Sequence, residues 1–108
     1  MNGLKDNELA AVRKLKETLT RDFGLVGLKL IGSKARGDSD TESDIDLVIV
    51  LKDYDWERQM AIYDVCFELS VEHDVLLSPI IYSDEEFSSP LIRATPFYEA
   101  VAEEGVPV

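Results

Sequence analysis

Residues 31–50, IGSKARGDSDTESDIDLVIV, open on a Gly-Ser turn carrying two bases and then place five acids at alternate positions from Asp38 to Asp46, before an apolar run. Gly32 and Gly37 are spaced like the glycines of a Walker A phosphate loop. Asp38 and Ser39 follow, however, where that loop needs Lys and then Ser or Thr, and an aspartate there repels phosphate. Asp38, Asp40, Glu42 and Asp44 alternate like the first ligands of an EF-hand calcium loop. The positions that would need its glycine and its final glutamate hold Ser43 and Ile49.

A third reading joins the two halves into one site. Ser33, at the start of a tight helical turn, leaves backbone N–H groups pointing outward that can hold a phosphate together with its hydroxyl, and Lys34 or Arg36 can add positive charge. Asp44 and Asp46 stand two residues apart where a strand begins, so their carboxylates emerge on one face about 7 Å apart along the backbone and can share divalent ions. A triphosphate grip beside a metal-binding acid pair is what nucleotidyl transfer with two Mg²⁺ ions requires. The metal, lying between, removes the conflict of sign.

The flanking sequence supplies the scaffold. Leu9, Val12, Leu15, Leu19 and Phe23 recur at helical spacing over residues 8–23, with Asp6 as the expected N-cap and Gly24 as the stop; residues 25–31 then read as a strand. IDLVIVL, residues 45–51, is apolar on both faces, as in an interior strand covered on two sides. Asp55 caps a second helix reaching about Glu72, whose stripe of Trp56, Met60, Tyr63 and Phe67, widened by Ile62, Cys66 and Leu69, reads as core packing.

VLLSPIIY, residues 75–82, is a third strand, pushed to a sheet edge or a bulge by Pro79. Ser83 with Glu86 fits a capping box, and Thr95-Pro96 starts a helix that Gly105 ends. The fold class is α/β (α+β), with a small mixed sheet of three to four strands packed with helices, and residues 1–108 form one domain.

Composition narrows the function. Twenty-two acids against eleven bases give a net charge of −11, which opposes stable binding to nucleic acid or to an anionic membrane surface. No stretch has the length and apolarity of a membrane span or the leader pattern of an exported protein, and the one cysteine, Cys66, reads as buried core filler, so a reducing cytoplasmic location is expected. Asp38, Asp40 and Glu42 read as solvated turn residues, Lys34 as solvent-facing and the lone His73 as a capping or surface group.

The string GSKARGDSDTESDIDLVIV, in the form GS-x-ARG, five residues, SD-x-D, resembles the signature of the minimal branch of the DNA polymerase beta-like nucleotidyltransferase superfamily. The resemblance covers roughly residues 8–105. It implies a nucleotidyltransferase fold in which Gly32 and Ser33, with Arg36 near them, grip the triphosphate of an NTP such as ATP, and Asp44 and Asp46 bind Mg²⁺. It also implies a third carboxylate from a later strand, for which Asp74 is the candidate and Glu72 the fallback. The activity so implied is transfer of a nucleoside monophosphate to an acceptor hydroxyl, and the implied partner is a helical HEPN protein in a toxin–antitoxin module. The alternative is a catalytically silent antitoxin or nucleotide-binding module of the same fold. A homodimer or a hetero-complex would cover the edge strand expected at Pro79.

Overall fold

The computed structural model describes residues 3–37 and 44–108. In chain order the elements are α1 (Asp6–Asp22), β1 (Leu25–Ile31), α2 (Gly32–Arg36), β2 (Ile45–Leu51), α3 (Trp56–His73), β3 (Leu77–Ser83), α4 (Asp84–Phe87), α5 (Pro90–Arg93), α6 (Pro96–Glu104) and β4 (Val106–Pro107). The strands form one mixed sheet in the order β3-β2-β1-β4. β1 pairs antiparallel with β2 and β4, and β2 pairs parallel with β3. A parallel neighbour needs a crossover, and α3 supplies it.

The parity of β2 divides the molecule into two layers. Ile45, Leu47, Ile49 and Leu51 join Leu28 and Leu30 beneath α1 and α3, whose contributions include Leu15, Leu19, Ile62, Cys66 and Leu69. Val48 and Val50 face the other way, onto Val101 of α6 with Tyr82, Phe87 and Phe97 around it. β2 is therefore covered on both sides, as its continuous apolar run requires, and β3 is an edge strand, as Pro79 requires.

Local chemistry sets most of the boundaries. Asp55 accepts the Arg58 backbone N–H at 2.9 Å to start α3. The Ser83 hydroxyl and the Glu86 carboxylate cap each other's backbone N–H at 3.0 and 3.2 Å, and the Thr95 hydroxyl accepts from Tyr98 at 3.1 Å. The cap of α1 lies one position before the expected Asp6: Lys5 is the N-cap, and its N–H donates to Glu8 at 2.8 Å.

Three expectations need correction. Trp56, Met60, Tyr63 and Phe67 are exposed and only Ile62, Cys66 and Leu69 of α3 are buried, so the wide stripe is two stripes, one facing the core and one facing outward. Lys34 is 1% exposed rather than solvent-facing. β3 begins at Leu77, after a left-handed Asp74 (φ 55°) has ended α3. Cys66 is core filler as read, and burial pushes its thiol up to about 12. Among the described residues no helix is long and apolar enough to cross a membrane.

Candidate active site

β1 and β2 meet at the end of the sheet where the sequence placed the site. Ile31, the last residue of β1, lies opposite Asp46 in the ladder, and α2 follows immediately as a single short turn. Gly37 closes that turn in the left-handed region at φ 79°, its N–H bonded to the Ser33 carbonyl at 2.9 Å. Ser33 is half-buried at the head of the turn.

Gly32 is where conformation and contact both demand glycine. Its φ is 75°, and a β-carbon built on it would lie 2.9 Å from Asp46 Oδ2. The phosphate-type turn at Gly32 and the Asp46 carboxylate, fourteen residues apart in sequence, are therefore in contact. Gly32→Ala is expected to cost on the order of 1–2 kcal/mol in denaturant unfolding and to displace the Asp46 carboxylate. Gly37→Ala is the comparator, because it carries the same backbone strain while meeting no atom of the described residues within 4 Å. Loss of function in the first and not the second would assign the effect to the Asp46 contact.

Asp46 stands on the α6 face of the sheet, half-buried, with Asp44 exposed just ahead of β2. Burial raises the Asp46 carboxyl above the ordinary carboxylate range, and the charge of Asp44 raises it further. The hydroxyl of Ser78, its register neighbour on β3, opposes the rise. Two carboxylates and a hydroxyl make an all-oxygen donor set, and carboxylates pressed into mutual repulsion are what a divalent cation relieves, so Asp44 and Asp46 fit Mg²⁺.

The expected third acid does not join them. Asp74 caps the end of α3, on the layer that covers the odd-numbered residues of β2, and is exposed; the Asn7 amide donates to the backbone carbonyls of His73 and Asp74 at 2.9 and 3.5 Å. Glu72 is also exposed on α3, 4.0 Å from His73 Nε2. The pleat explains the correction: Asp46 points to the opposite face, and the side chain offered beside it is Ser78. Among the described residues no group of three His, Cys, Asp or Glu side chains converges to hold a metal.

Arg36 lies 3.9 Å from Glu104 at the end of α6, both half-exposed, which places its guanidinium on the same face as Asp46. Lys34, read from the sequence as solvent-facing, instead ties the turn to the core: its ammonium lies 2.8 Å from Glu8 Oε2, with both side chains almost wholly buried. Its backbone carbonyl also accepts the Gly3 N–H at 2.7 Å. Asp38, Asp40 and Glu42 lie outside the described residues.

Comparison with known proteins identifies the family. The polymerase beta nucleotidyltransferase family matches residues 13–93. Two proteins of Methanocaldococcus jannaschii, both provisionally named protein adenylyltransferases, are similar in sequence. MJ0604 is 33% identical over 101 residues, covering 92% of this chain and 95% of its own, and MJ0141 is 43% identical over 54 residues, 49% of this chain. The match to MJ0141 spans about half of that protein's length, 54%. Among solved structures, a minimal nucleotidyltransferase superposes with a TM-score of 0.63 at 23% identity, over 96% of this chain and 97% of its own. The toxin–antitoxin complex MntA–HpeT has a chain that superposes with a TM-score of 0.61 at 18% identity, over 96% of this chain and 72% of its own. With the family match spanning most of the chain and the signature residues Gly32 and Asp46 in contact, this chain belongs to the polymerase beta nucleotidyltransferase family.

Proposed function

We propose that this chain is a Mg²⁺-dependent nucleotidyltransferase that moves AMP from ATP to a hydroxyl of a protein partner, with pyrophosphate as the other product. The observation that carries the reading is the contact between Gly32 and the Asp46 carboxylate, which sets a phosphate-type turn against an acid pair. The two adenylyltransferase names among its relatives favour a protein acceptor and ATP, and the likeness to a toxin–antitoxin chain favours a helical HEPN toxin as that acceptor.

In this reading Asp44 and Asp46 hold the cation, and Gly32 and Ser33 present backbone N–H groups and a hydroxyl to the triphosphate. Arg36, drawn from its surface pair with Glu104, adds charge at the phosphate end. Bound Mg²⁺ supplies the positive charge that polarises the transferring phosphoryl group. Ser78 sets a hydroxyl beside Asp46 across the β2–β3 ladder, and Gly32, lacking a β-carbon, lets the turn approach that carboxylate.

A second reading rests on one specific observation: Ser78, not a carboxylate, is the neighbour of Asp46 on β3. An acid pair without a third member would suit a nucleotide-binding antitoxin that does not turn over. Incubation of the chain with Mg²⁺, labelled ATP and a candidate helical partner protein separates the two. Label on the partner, lost with EDTA, is expected for the enzyme. A tight complex without label, converted to transfer by Ser78→Asp, would replace the first reading by the second.

A further inference from the structure

The outward stripe of α3 is unaccounted for by the fold or the site. Trp56, Met60, Tyr63, Phe67 and Val71 follow at spacings of four, three, four and four, which at about 100° per residue confines them to one narrow arc well away from the buried seam. Trp56 and Phe67 are each 70% exposed and Val71 69%. The aromatics alone leave roughly 400 Å² of apolar surface in water, close to the largest patch of an ordinary monomer. Beside the stripe, Phe67, Val71, Leu76 and Pro79 line an open groove of ≈ 430 Å³ between α3 and the edge strand β3.

We propose that this ridge and groove form a docking site for an amphipathic helix of a partner protein whose apolar seam is flanked by Lys and Arg. Charge complementarity selects that occupant. Glu57, Asp64 and Glu68 are exposed along the solvent side of the stripe, seven and then four residues apart, and the whole chain carries −11. A second copy would bring acidic flanks and like net charges together. An added β-strand would meet Pro79, which has no N–H to offer, in the middle of the edge. A helix laid along the groove needs no backbone pairing and gains on both counts.

The inference concerns binding alone and is independent of nucleotidyl transfer. Trp56 is the chain's only tryptophan and lies on the stripe, so its fluorescence reports occupancy. Two designed helical peptides of about 18 residues, with one Leu seam flanked either by Lys and Arg or by Glu, are titrated against the full chain. The basic peptide is expected to blue-shift Trp56 and to bind at least about tenfold more tightly than the acidic one, weakening as salt rises from about 0.05 to about 0.5 M. Phe67→Glu and Val71→Glu, at exposed positions that leave the core intact, are expected to remove the binding. Equal affinity for both peptides, no shift with the basic one, or wild-type binding by both variants would overturn the proposal. So would a dimer in sedimentation that Phe67→Glu dissociates and the basic peptide does not.

Discussion

Asp46→Asn is expected to reduce nucleotidyl transfer roughly a thousandfold while leaving the metal-free fold at least as stable as before. Charge stabilisation by a correctly held cation is worth several kcal/mol, and each ~1.4 kcal/mol is a factor of ten in rate. Asparagine keeps the shape but removes the charge that holds the ion. The stability half follows from the direction in which Asp46 is shifted. Burial and the charge of Asp44 raise its carboxyl above the ordinary value of 3.8, so the folded chain binds the proton more tightly than the unfolded one. Its stabilising contribution is then full below that ordinary value and is lost as pH rises through the folded value, leaving an ionised group at neutral pH that the fold resists. A neutral isostere removes that opposition. Denaturant melts of the wild type and of Asp46→Asn, run in EDTA at neutral pH, check the second half, and label transfer with Mg²⁺ checks the first. A variant that lost activity by unfolding would show both falling together and would remove the case for Asp46 as a ligand.

The same carboxylate shows what a sequence can and cannot reveal. The Gly32 turn and the spacing of Asp44 and Asp46 are legible in the sequence because they are local: a turn that needs glycine, and two acids set two residues apart where a strand begins. The partner across the sheet was not, because which residue of β3 meets Asp46 depends on register, and a shift of one residue exchanges the two faces. Asp74 looked close in sequence to that strand, yet it ends the helix on the opposite layer. α3 failed for a related reason. Its apolar residues obey helical periodicity on two arcs, and periodicity does not say which arc meets the sheet. β4, two residues long and paired at Leu30↔Val106, carries too little pattern to be seen. The interior strand, by contrast, declared itself, since an apolar run such as IDLVIVL has few other places to go.

Lys34→Met is expected to destabilise the protein by about 3–5 kcal/mol, because it leaves the Glu8 carboxylate buried without its counter-ion. For a domain of this size that is a large part of the usual margin, and it corresponds to a fall in Tm on the order of 15–30 °C. The pair qualifies for so large an effect because neither side chain has water to fall back on: Lys34 is 1% exposed, Glu8 is 6%, and the charges are 2.8 Å apart. An exposed pair such as Arg21 with Asp22 would contribute little on the same change. Glu8 also accepts the Lys5 N–H at the start of α1, so its position is fixed from the helix side and it cannot swing out to solvent without giving up that cap. The link to function is spatial. Lys34 lies two residues after Gly32, and its bond to α1 holds the turn that touches Asp46. The decisive measurement is a double-mutant cycle with Glu8→Gln. If the loss comes from an orphaned charge, Glu8→Gln/Lys34→Met should be more stable than Lys34→Met alone. If it comes only from lost packing, the two losses should add. A single variant within about 1 kcal/mol of wild type would show that this buried pair does not anchor the turn.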